Sequence, residues 1–130
     1  MAYYFNTTPP VSFDGAVART IAALKSEGFG VLTEIDVQKT LREKIGVEFR
    51  KYRILGACNP KLAHEALQLE DKIGTMLPCN VVVQELPNGR VEVAAIDPVA
   101  SMQAIDNPPL KEAAAQVGEK LKHVIARLRG

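Results

Sequence analysis

The feature that most restricts the fold is a hairpin. Val81-Val82-Val83 and Val91-Glu92-Val93 flank Pro87-Asn88-Gly89, two β-branched runs on either side of a turn whose glycine tolerates positive φ. At least one antiparallel strand pair is therefore written into the chain. The first half alternates strand and helix signals, which alone would permit a parallel α/β sheet. The hairpin and a total of about five strands point instead to α+β, a single mixed or antiparallel sheet with helices packed on it.

The remaining elements follow from periodicity and punctuation. Tyr3-Tyr4-Phe5 suits a strand, ended by Thr7-Thr8-Pro9-Pro10, where the prolines remove ladder donors. Ser12 is a good N-cap for a helix over 13–27 in which Val17, Ile21 and Leu24 form one stripe, and Gly28 closes it. Residues 29–35 read as a strand. Asp36 then caps a short helix with Val37, Leu41 and Ile45 on one side and Gly46 at its end. From Lys51 to Cys58 the period drops to two. Asn59-Pro60 starts the next helix, whose stripe of Leu62, Ala66, Leu69 and Ile73 runs to Gly74. After Asn107-Pro108-Pro109 comes the longest helix, with Leu110, Ala114, Val117, Leu121, Val124 and Leu128 on one face. Such a stripe is more often core than interface.

Composition narrows the class. The chain has 130 residues, 47% of them hydrophobic, the size of one domain with its own core, so residues 1–130 are expected to form a single domain. Its 16 Lys+Arg against 15 Asp+Glu leave a net charge of +1, without the basic excess of a dedicated nucleic-acid binder. No apolar run approaches the roughly 20 residues that cross a bilayer. The first residues lack the basic leader and apolar stretch of a secretory signal. Two cysteines are too few for a disulfide scaffold in a chain of this size. A cytoplasmic location, with neither nucleic acid nor membrane as partner, is the expectation.

Chemistry-bearing residues are sparse. Cys58 ends one strand and Cys79 starts the next. If those strands run antiparallel, both thiols lie at the same end of the sheet. If parallel, they lie a strand length apart. Their separation fits neither CxxC nor a zinc-finger pattern, and free cysteines are commonly buried hydrophobes. His64 sits early in the helix after Pro60, where the dipole disfavours positive charge and a neutral ligand or base is suited, with Glu65 and Glu70 nearby in sequence. His123 stands among Lys120, Lys122, Arg127 and Arg129 at a helix C-terminus, where cations are favoured. Glu34 with Asp36, or Glu70 with Asp71, could form a carboxylate pair, though adjacent surface acids are usually only solvated. There is no phosphate loop, nucleophile elbow or HExxH motif. The unusual local feature is a repeated Cys-Asn dipeptide at strand boundaries, Cys58-Asn59 and Cys79-Asn80. Each asparagine can bond the backbone of a cap or turn, or belong to a polar cluster at a pocket mouth.

Three stretches around these dipeptides carry a resemblance: Gly30-Val31-Leu32-Thr33-Glu34-Ile35-Asp36-Val37, Tyr52-Arg53-Ile54-Leu55-Gly56-Ala57-Cys58-Asn59-Pro60 and Leu77-Pro78-Cys79-Asn80-Val81-Val82-Val83. With Ile96-Asp97-Pro98 and the final amphipathic helix, they resemble the domain of unknown function 302 family over nearly the whole chain. The resemblance implies an α+β sandwich related to the TATA-binding-protein-like architecture, with members that form dimers. It implies no reaction, and a fold alone does not make a DNA binder.

The expectation is thus a small domain without a recognisable catalytic constellation, cofactor or metal set. It binds a small ligand or a protein partner, with a second copy of itself as the expected partner. The alternative is a thiol-based redox or metal-handling protein using Cys58 and Cys79. The candidate ligand-binding residues are Cys58, Asn59, Cys79 and Asn80, then Glu34, His64 and Glu70.

Overall fold

The computed structural model describes residues 2–129. The elements run β1 (Tyr4–Thr7), α1 (Phe13–Ser26), β2 (Gly30–Asp36), α2 (Val37–Ile45), β3 (Tyr52–Cys58), α3 (Pro60–Leu69), a 3-10 turn (Asp71–Met76), β4 (Cys79–Glu85), β5 (Val91–Ile96), α4 (Pro98–Ser101) and α5 (Pro108–Leu128). The five strands form one sheet in the order β1-β5-β4-β3-β2, and every pairing in it is antiparallel. The helices between β2 and β3 and between β3 and β4 therefore return the chain to an antiparallel neighbour, so the βα alternation carries no parallel pair. The architecture is α+β, as the hairpin requires. Gly89 takes φ +83° behind a turn closed by its N–H donating to the Leu86 carbonyl.

Antiparallel register with period-two alternation divides the sheet into two faces. Leu55, Ala57, Val81, Val83, Val93 and Ala95 point to the helices and are buried. Against them lie Phe13, Val17 and Leu24 of α1 and Leu121, Val124 and Leu128 of α5. The α5 stripe is thus core. On the other face one row runs Asn6, Ala94, Val82, Ile54 and Ile35 across all five strands, and none of these residues is fully buried.

Two elements depart from the periodicity. The helix read from Pro60 to Gly74 stops at Leu69, because Glu70 turns extended (φ −152°, ψ 107°) and a 3-10 turn follows. The freed Leu69 carbonyl accepts from Asn107 Nδ2 at 2.9 Å. This break lets Ile73 enter a second, smaller apolar cluster with Ala66, Met102, Leu110 and Ala114. The apolar side of α2 stays half-solvated: no α2 residue is fully buried and Ile45 is 67% exposed. Beyond these, Asp97-Pro98 nucleates the short α4 where only a turn was expected, Asp97 Oδ1 accepting from the Val99 N–H.

Candidate functional site

The two Cys-Asn dipeptides meet at one end of the sheet. Ala57 lies opposite Cys79 in the β3–β4 ladder, and Cys58 lies opposite Gly30 in β2. Cys58 and Cys79 are therefore diagonal neighbours on adjacent strands, about 6 Å apart by Cα from ideal sheet spacing. Ala57 is the ladder partner that shares a face with Cys79, and Cys58, at the very end of β3, lines the same helix-side pocket as Cys79. Cys79 is 8% exposed and faces the helices, whereas Cys58 is half-buried. Burial pushes the Cys79 thiol up to about 11, and a thiolate at Cys58 would raise it further. About one molecule in 10⁴ then carries a Cys79 thiolate at neutral pH.

The asparagines part company as well. Asn59 caps α3, its Oδ1 accepting from the Leu62 N–H at 3.2 Å. Gly28, at φ +86°, keeps close to it: a Cβ there would lie 3.1 Å from Asn59 Nδ2. Asn80, one residue past Cys79, is exposed on the far face of the sheet. Of the remaining candidates, Glu34 lies opposite Leu55, three residues along β3 from Cys58 and about 10 Å from the cysteine end. It is held there by Arg53 Nη1 at 2.7 Å. His64 is exposed on α3 with Gln68 Nε2 3.4 Å from its Nε2, and Glu70 sits at the helix break. The candidates thus separate into Cys79, Cys58 and Asn59 at one locus, Asn80 across the sheet, and Glu34, His64 and Glu70 elsewhere. Among the described residues, no group of three or more His, Cys, Asp or Glu side chains could hold a metal ion.

What Cys58, Asn59 and Cys79 border is a void of about 40 Å³ between α3, α5 and the ends of β3 and β4. Its walls come from both apolar clusters. Phe29, Ala57 and Cys79 belong to the main core, and Ala66, Met102 and Ala114 to the smaller one. The void is the seam between them. Five of its lining residues are alanines, Ala57, Ala63, Ala66, Ala113 and Ala114, and such small side chains leave the gap between a helix pair and a sheet end unfilled. The sequence marks Leu62, Ala66, Leu110 and Ala114 as apolar helix faces. It gives no sign that two such faces diverge, and Phe29 and Met102 carry no motif at all.

A two-layer α+β domain with one helix-covered face, one open face and an apolar seam at the sheet end is the class this geometry defines. The family of proteins described as Domain of unknown function DUF302 matches residues 5–128, so the chain belongs to that family. Among solved structures, the crystal structure of an uncharacterized conserved DUF302 protein from Bacillus stearothermophilus is similar at TM-score 0.92 and 31% identity. That match covers 99% of this chain and 100% of the other. No curated protein matches. No helix among the described residues is long and apolar enough to cross a membrane.

Proposed function

We propose that this chain is a non-enzymatic binding domain that takes a small, uncharged apolar molecule into the seam between its two apolar clusters. The observation that carries this reading is the void itself: walls from two separately packed clusters, lined mostly by apolar carbon, with Cys58, Asn59 and Cys79 at its edge. A pocket of 40 Å³ has room for about three or four water-sized spheres at about 10–15 Å³ each, and its nearly apolar lining offers water few hydrogen-bond partners. A dry void costs lost dispersion contacts on every wall, and an apolar guest restores them. Because the walls belong to different clusters, widening the seam does not require dismantling either one.

The thiol-redox alternative is less well supported. Its nucleophile would be a thiolate, which burial suppresses at Cys79.

The test uses n-hexanol and benzene as probes in thermal-shift and NMR titrations. Saturable stabilisation of the wild type is expected, with perturbed methyl resonances at Leu62 and Leu110, and the response is lost in Ala114→Leu, whose added carbons occupy the void. Equal responses in both proteins, or none in either, would sink the reading. Fast modification of Cys79 by a thiol reagent in the native state would favour the redox alternative.

A further inference from the structure

The open face of the sheet holds a second hollow, on the opposite side from the seam and independent of it. It is a trough of about 350 Å³ floored by Val82 and Ala94. These two small residues are cross-strand partners at the middle of the sheet, with larger side chains on either side. The chain has three tyrosines and no tryptophan, and all three tyrosines, Tyr3, Tyr4 and Tyr52, line this trough. Tyr3 and Tyr4 stack edge to face, 5.1 Å between centroids, on the β1 side. Tyr52 stands across the sheet on β3.

The polar groups of the trough decide what it can take. Gln84 Nε2 donates to Glu92 Oε1 at 2.9 Å, Glu92 Oε2 accepts from Asn6 Nδ2 at 2.9 Å, and Gln84 Oε1 accepts from Arg50 Nε at 2.9 Å. This ladder spans the face, balances Arg50 against Glu92, and leaves Gln84 with little capacity to spare. Arg50 itself lies over the Phe49 ring, 4.3 Å from its centroid. Among the described residues, the side chain of Asn80 has no hydrogen-bond partner. It is a free carboxamide, one donor–acceptor fork, exposed beside tyrosine rings.

We infer that the trough binds a neutral heteroaromatic ring with a donor–acceptor edge, a purine base or nucleoside, through Asn80 and the tyrosine rings. An asparagine fork matches adjacent donor and acceptor atoms on a purine edge, and aromatic side chains stack on base faces without regard to sequence. A sugar is a poorer fit, because its many hydroxyls would trade water for a face with one free fork. A phosphorylated ligand is a poorer fit too, because among the described residues the trough is lined by a carboxylate, Glu92, and by no lysine or arginine.

Adenosine, adenosine monophosphate and maltotriose are the probes, each titrated into the full chain while tyrosine ring and Asn80 side-chain resonances are followed by NMR. Every tyrosine signal in this chain reports on the trough. Adenosine is expected to shift the rings saturably, with the monophosphate no tighter and maltotriose weaker. Asn80→Ala removes an exposed, unbonded side chain and therefore folds normally; it is expected to weaken adenosine roughly tenfold. The inference is overturned by any of four results: no saturable shift up to about 10 mM adenosine, unchanged affinity in Asn80→Ala, tighter binding of the monophosphate or maltotriose, or ring shifts that follow protein concentration alone, which would mean a second copy covers the face.

Discussion

A Cβ placed on Gly56 would collide with the Thr33 hydroxyl and come within 2.7 Å of the Pro78 ring. This glycine is needed for space and not for its backbone angles, since the chain's positive-φ glycines lie elsewhere. Thr33 is its partner across the β2–β3 ladder, just past a register shift, so the crowding lies within the sheet and has no soft side to yield. Gly56→Ala should cost about 1–3 kcal/mol, the usual penalty for overpacking a closed site; urea unfolding measures it, and a loss below about 0.5 kcal/mol would show that Thr33 simply rotates away. Glu27 presents an electrostatic case. It caps the C-terminus of α1, where the helix dipole disfavours a carboxylate, and its side chain is only 12% exposed. Burial alone would push its carboxyl up. Hydrogen bonds from Arg127 at 3.0 Å and His123 at 3.3 Å outweigh this and hold it below the ordinary 4.5. A carboxyl lowered in the folded state stabilises the protein above its unfolded value, and that contribution is lost as pH falls through the folded value. Melting temperature should therefore fall more steeply below pH 4.5 in the wild type than in Glu27→Gln; parallel curves would mean that the pair adds nothing.

At the scale of elements, the chain begins its helices with side chains that accept from backbone N–H groups: Ser12, Asp36, Asn59, Asp97 and Asn107 each accept one. These caps, the proline after three of them, and the Asn88-Gly89 turn are local chemistry. That is why the starts of α1, α2, α3 and α5 and the hairpin were legible in the sequence, while α4 was not, and why α+β was the correct class. What was not legible depended on distant partners. The α3 stripe continues in sequence through Ile73, yet the helix breaks at Glu70, and Asn107 reaches back across the fold to the Leu69 carbonyl that the break leaves open. Asn107 thus holds two elements, capping α5 through Leu110 and bonding the end of α3. Asn107→Ala should cost more than the roughly 1 kcal/mol of an ordinary cap, about 2 kcal/mol by denaturant unfolding. Asn107→Asp restores the cap but not the donor, and should recover only part of that loss. The candidate site was legible in the same uneven way. Placing Cys58 and Cys79 at one end of the sheet needed only the strand directions, but bringing both to one pocket needed the register, which one residue of slip would undo.

Across the whole molecule, the division of the core into two clusters sets how the protein moves. The main cluster is clamped between the sheet and the long helices α1 and α5. The smaller one joins α3, the 3-10 turn, α4 and the start of α5, and its most buried large side chain outside α5 is Ile73, 1% exposed. A unit with fewer apolar contacts opens at lower free energy than the rest of the fold. Cys79 lies on the boundary and is the built-in reporter: its thiol becomes reactive only when the seam opens. Ile73→Ala removes core atoms from the smaller cluster alone, a change that typically costs about 2–5 kcal/mol. If the clusters open separately, this variant labels faster at Cys79 under native conditions while the Val81, Val83 and Val93 amides exchange as in the wild type. If they open only together, labelling and amide exchange accelerate by the same factor. That second result would make the void a packing defect in one cooperative core, and it would remove the route by which an apolar guest reaches the seam.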